Sequence, residues 1–180
     1  MPDIQGEAAR RFMSADWLTD ANEADRRAVF AVLNEAPAPA GTRLLEQGKA
    51  NSRLVFLIAG EATVDRVRSD GRTEAIATLQ APTVFGTTSF FRPEKTPSFN
   101  VRALAGVQTL TLDRDDYGRL RRENPRAAEA LAVDALRTLA DRFEELDRLF
   151  SEYIVKHPDE RPKTTEWSGF RARLFEEHGV

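Results

Sequence analysis

The stretch "LQAPTVFGTTSFFRPEKTPSFNVRALAGVQTLTLDRDDYGRLRRENP", Leu79–Pro125, decides the fold. Its second half reads as two short strands, Asn100 to Ala105 and Gln108 to Leu112, joined tightly at Gly106. A helix follows from Arg114 to Arg122. Asn124 suits the N-cap of a further helix, and Pro125 suits its first position. Between Phe85-Gly86 and Val101-Arg102-Ala103 lies a loop dense in hydroxyl and aromatic residues.

Upstream, residues 41–113 alternate short apolar runs with turn signals, the spacing of a sandwich or barrel. Thr42 to Glu46 is one strand, closed by Gln47-Gly48. Leu54 to Ile58 is a continuous apolar run, as expected of a strand buried on both faces. Gly60 ends it. Glu61 to Val67 and Thr73 to Leu79 flank Asp70-Gly71, a strong hairpin turn because glycine tolerates positive φ. Residues 1–40 read as helical and then break. In Asn22 to Glu35, Val29, Phe30 and Leu33 fall on one helix face, with acids in the first turn and Pro37 and Pro39 as terminators.

Downstream, residues 114–155 are helical. Ala132, Leu136, Leu139, Phe143, Leu146, Phe150 and Tyr153 recur at alternating steps of 4 and 3, a coiled-coil seam on a helix of about 30 residues. This predicts a dimerisation helix. Residues 156–180 begin with the breakers His157-Pro158 and Arg161-Pro162. Trp167, Phe170 and Leu174 then recur at helical spacing, which predicts a short amphipathic helix docked on the body or on a partner subunit, since a helix this short is marginal alone.

Composition removes whole classes of chemistry. The 180 residues include no cysteine, so disulfides, thiolate metal sites and cysteine nucleophiles are absent. The two histidines, His157 and His178, both lie near the C-terminal end. A multi-histidine metal centre or a Ser-His-Asp triad in the body is excluded. With 41% hydrophobic and 31% charged residues and a net charge of −3, the chain reads as a globular protein. It carries no basic excess for nucleic acid. No long apolar run and no apolar leader segment is present, so cytoplasmic residence is expected.

The order helix, β-roll, short helix, long helix resembles the cyclic-nucleotide-binding domain of the catabolite-activator (Crp-Fnr) type. "GTRLLEQGKANSRLVFLIAGEATVDR", Gly41–Arg66, resembles the family's opening strands, with Glu46, Gln47 and Gly48 forming its turn. Leu79–Pro125 resembles its phosphate-binding cassette and following strands. The resemblance spans about residues 18–152. It implies an α+β fold: an antiparallel β-roll or jelly-roll with an N-terminal helix and a long C-terminal helix. The expected organisation is an N-terminal extension (1–17), the β-roll with flanking helices (18–122), the long helix (123–155) and a tail (156–180).

In the family, cassette amides at a short helix N-terminus bind the cyclic phosphate, an arginine neutralises it, and a glutamate accepts the ribose hydroxyl. Here the glutamate position is Thr87 and the arginine position is Pro97. Losing a buried charge-assisted pair costs about 2–5 kcal/mol, or about 30- to 5,000-fold in affinity. What remains is Gly86, Thr87, Thr88, Ser89 and Ser98, with Arg92 and Lys95 as cassette cations and Arg142 as a cation on the long helix. Phe99 replaces a small residue and is expected to fill sugar space. Phe90 and Phe91 fit core better than ligand stacking.

The expected function is a stand-alone, non-enzymatic regulatory module. It would be dimeric, have lost or altered cyclic nucleotide binding, and act through protein contacts. The alternatives are a receptor for a cyclic nucleotide or another small anion in a different pose, and, more remotely, a DNA-associated regulator. A cupin-type enzyme is disfavoured by the absence of histidine from the roll. About 25 residues follow the long helix, and they lack the two-helix unit of a helix-turn-helix. Arg119, Arg121, Arg122 and Arg126 read as a solvated helix face. No cofactor or metal is expected.

Overall fold

A computed structural model describes residues 6–156, apart from the side chains of Phe150 and Ile154. The predicted tail helix at Trp167, Phe170 and Leu174 lies outside the described residues. The chain divides into two compact units, Met1–Ala135 and Leu136–Val180.

Eight strands form two four-stranded antiparallel sheets in the first unit. They are β1 (Asn34–Glu35), β2 (Arg43–Leu45), β3 (Arg53–Ala59), β4 (Glu61–Val67), β5 (Thr73–Gln80), β6 (Thr83–Phe85), β7 (Asn100–Ala103) and β8 (Gln108–Asp113). One sheet has the order β1-β8-β3-β6, the other β2-β7-β4-β5. The expected α+β jelly-roll is present. β3 explains its own apolar run. Val55 and Leu57 point into the roll with Leu45, Val64, Phe85 and Val101, while Leu54, Phe56 and Ile58 face a second core built by helices. Each face of the strand is therefore removed from water.

The helices are α1 (Glu7–Ser14), α2 (Glu23–Ala31), α3 (Thr87–Phe91), α4 (Arg114–Glu123) and α5 (Pro125–Lys156). Asn22 caps α2, its side chain accepting from the Asp25 amide at 2.8 Å. The helix expected to reach Glu35 stops at Ala31, because Asn34 and Glu35 pair instead with Thr111 and Leu110 of β8. α1 packs into the helical core of the first unit through Ala8, Ala9 and Phe12. Its Phe12 is fully buried against Trp17, Phe30 and Phe56, with ring centroids 5.3–5.6 Å apart.

Leu18, which follows this aromatic cluster, has the positive φ of 55° that a bulky residue rarely adopts. Its side chain is buried and its amide donates to Asp134 Oδ1 on α5 at 2.9 Å. Burial and a charge-assisted hydrogen bond together hold the strained turn. The first half of α5 joins the helical core through Ala127, Ala128 and Leu131.

Candidate functional site

The cassette spans Gly86–Phe99. Gly86 opens it with φ 86°, and a Cβ there would lie 2.7 Å from the Arg53 carbonyl oxygen. Glycine is required both for the left-handed backbone and for the close approach. α3 then begins at Thr87. The Phe90 amide closes the first turn onto the Gly86 carbonyl at 2.9 Å, and the earlier amides, as in any helix, have no intrahelical acceptor. Thr87 and Ser89 are buried, whereas Thr88 is exposed. Ser89 Oγ donates to the Gly86 carbonyl and accepts from Asn51 Nδ2 at 3.0 Å, so this hydroxyl serves the turn itself.

The opposite end of α3 is clamped. The Arg114 guanidinium donates to the carbonyls of Phe90 (2.8 Å), Asn51 (2.7 Å) and Ser89. A cation on C-terminal helix carbonyls also complements the helix dipole. Phe90 is buried and meets Phe91 and Tyr117 edge-on, with centroids 5.0 and 5.6 Å away. Burial pushes the Tyr117 hydroxyl pKa up. Neither Arg114 nor Asn51 carries a local sequence signal for this role. The clamp brings together residues far apart in the chain, so no local spacing reveals it.

The closing end of the cassette is built by backbone contacts. Pro97 is buried, and its carbonyl accepts from the Gly48 amide at 2.9 Å. Ser98 is exposed. Phe99 is half-buried and packs against the roll interior that contains Leu45, Val64, Phe85 and Val101. Asn100 is buried with both ends of its amide used: Oδ1 accepts from the Gln47 amide (2.9 Å) and Nδ2 donates to Asp65 (2.7 Å). The turn after β2 is thereby fixed to β4 and β7.

The cassette cation Arg92 is exposed and donates to Glu94 Oε1 at 2.9 Å. The Glu94 carboxyl is held below the ordinary glutamate range by its own backbone amide and by Arg92. Lys95 is exposed. Arg142 is exposed on α5 within the second unit. Gly86, Thr87, Thr88, Ser89, Ser98 and Phe99 thus share one cassette in the first unit. Two clefts of about 510 and 390 Å³ lie elsewhere, one bounded by Arg11, Gly60 and Pro82 and the other by Glu7, Glu35 and Gln108.

The residues expected to form a seam divide at the unit boundary. Ala132 is half-buried in the first unit. In the second, Leu136, Leu139, Phe143 and Leu146 are 66%, 38%, 58% and 63% exposed, and Leu149, Tyr153 and Val155 are exposed as well. Phe150 lies on the α5 backbone, but its side chain is outside what is described. Arg148 is held between Glu145 (2.6 Å) and Glu152 on the same helix.

Among the described residues no group of His, Asp or Glu is placed to hold a metal ion, and no helix is long and apolar enough to cross a membrane.

Residues 36–124 match the family model described as the cyclic nucleotide-binding domain. The chain is similar in structure to the catabolite activator protein of Thermus thermophilus, at 25% identity and a TM-score of 0.60 over 71% of this chain. That match spans 60% of the activator's own length. A cyclic nucleotide-binding domain from Methylobacillus flagellatus KT aligns with a TM-score of 0.70 at 21% identity, covering 81% of this chain and 82% of its own. The N-terminal domain of a transcriptional regulator from Streptomyces coelicolor A3(2) aligns at 0.62 and 22% identity, covering 77% and 95%. No curated protein matches in sequence.

Proposed function

We propose that this chain, which belongs through residues 36–124 to the cyclic nucleotide-binding domain family, is a non-enzymatic regulatory module with an altered cassette. It works through protein contacts rather than through tight binding of a cyclic nucleotide. The observation that carries this reading is Pro97. At the position where the family's arginine meets the phosphate, the chain places a buried proline. Proline supplies neither charge nor an amide hydrogen. The carboxylate that would receive a ribose hydroxyl is replaced by buried Thr87. Phe99 packs toward the roll interior, where a sugar would need room. Arg92 is engaged with Glu94, which does not favour it as a substitute counter-charge.

The contact surface in this reading is the distal part of α5. Leu136, Leu139, Phe143 and Leu146 follow the seam spacing and are exposed. A continuous apolar stripe on a long helix is stabilised by pairing with a second copy. The module in this reading is a homodimer that acts on a protein partner in the cytoplasm. Leu146→Asp tests the seam in sedimentation velocity. The variant should sediment as a monomer where the unmodified chain is a dimer; an unchanged sedimentation coefficient would refute the assignment.

A second reading is favoured by Thr88 and Ser98, two exposed hydroxyl residues near the two ends of the cassette. It makes the module a receptor for a small hydroxyl-bearing or anionic ligand in another pose. A nucleotide panel read by thermal shift separates the two. A stabilisation that disappears in Ser98→Ala supports the receptor; no stabilisation with any member supports the contact module.

A further inference from the structure

We propose that the two clefts beside α1 act as one groove, and that the groove takes an extended, basic segment of a partner protein. This rests on the reading that the chain works through protein contacts, and it gives that contact a place and a chemistry. The clefts, of about 510 and 390 Å³, are open to solvent and share Ile58. The α1 residues Glu7, Arg11 and Ser14 line them and step by 4 and then 3, so they lie on one helix face. The groove therefore follows α1, with the ends of β1, β3, β4, β5 and β8 as its other wall.

Floor and rim differ in kind. Ala8, Ala15 and Ile58 are 9%, 8% and 5% exposed and make an apolar floor. Glu7, Arg11, Glu35 and Gln108 are exposed at the rim. An extended chain points alternate side chains to opposite sides. It can set one apolar row on such a floor and one polar row against the rim. α1 has eight residues and is about 12 Å long, room for about four residues of extended chain.

Charge sets the sign of the partner. Glu7 and Arg11 neutralise each other across 2.5 Å. Glu61, in the larger cleft, accepts from the neutral Gln80 amide at 3.1 Å. Glu35 stands exposed in the smaller one. Among the described residues neither Glu35 nor Glu61 is paired with a cation. Each cleft thus carries one uncompensated carboxylate, with Ile58 between them. A segment with two lysines or arginines flanking a small apolar residue complements both ends and the floor.

The probe is the peptide acetyl-Ala-Lys-Val-Lys-Ala-amide, with acetyl-Ala-Glu-Val-Glu-Ala-amide as its control. Each is titrated into full-length protein at low salt and followed by amide NMR shifts. The lysine peptide should give saturable shifts concentrated in α1, at Ile58–Glu61 and at Gln108–Thr109, and the glutamate peptide none. Glu35→Gln/Glu61→Gln, two near-isosteric changes, should weaken the lysine peptide at least about threefold, as for two exposed ion pairs. No saturable shifts, shifts centred elsewhere, equal binding of the two peptides, or an unchanged affinity in the double variant would overturn the groove. None of these results bears on the altered cassette, which the nucleotide panel tests separately.

Discussion

The Gly48 amide donates to the Pro97 carbonyl at 2.9 Å, tying the turn after β2 to the closing end of the cassette. The contact uses only backbone, so it fixes the chain path whatever side chain stands at position 97. The cassette can thus keep its course while the side chain that would neutralise a phosphate is gone. Asn100, whose amide bridges the Gln47 amide and Asp65, secures the same turn from β7. Form and ligand chemistry are separable here.

Restoring the chemistry should restore binding. The triple variant Pro97→Arg/Thr87→Glu/Phe99→Ala returns the guanidinium, the carboxylate and the open volume to a cassette whose backbone is intact. With 1 mM cyclic AMP, on the order of the ligand excess needed to register weak binding, it should show a rise in Tm of several degrees. The unmodified chain should show none. A triple variant that folds but does not respond would mean that more than these three positions has changed.

Gly86→Ala should be costly. Alanine at φ 86° pays about 1–2 kcal/mol for the left-handed backbone, and its Cβ would press on the Arg53 carbonyl at 2.7 Å. We expect a total loss of about 2–4 kcal/mol and a Tm lower by about 10 °C. Chemical denaturation measures it directly, and a loss under about 0.5 kcal/mol, the range of ordinary surface substitutions, would contradict the clash.

Arg114→Met keeps most of the side-chain volume and removes the clamp. The carbonyls of Phe90, Asn51 and Ser89 would lose a shared charged donor. The expected cost is about 2–4 kcal/mol, with hydrogen exchange at the Phe90 and Arg92 amides, which bond to the Gly86 and Thr88 carbonyls, accelerating more than exchange in β3. Uniform acceleration across both would show that Arg114 supports the whole domain rather than α3.

Much of the fold was legible because its signals are local. The apolar run at Leu54–Ile58, the hairpin at Asp70-Gly71 and the punctuation at Asn124-Pro125 each name an element, and β4 carries the expected bounds Glu61–Val67. β1 was hidden, since two residues adjoining a helix carry no periodicity and owe their state to Thr111 and Leu110 across the sheet. The burial of α1 was hidden for the same reason: Phe12 meets Phe56, distant in sequence. Within the cassette, the departures at Thr87 and Pro97 are readable letter by letter. The Arg114 clamp and the Asn51–Ser89 bond join residues far apart in the chain, so no local pattern carries them.

The most direct test of the altered cassette is isothermal titration calorimetry of the full chain with cyclic AMP and with cyclic GMP. No saturable heat is expected for either nucleotide when a mostly buried phosphate counter-charge worth about 2–5 kcal/mol is missing. Saturable binding with a dissociation constant in the micromolar range or tighter, equivalent to about −8 kcal/mol or better, would contradict it.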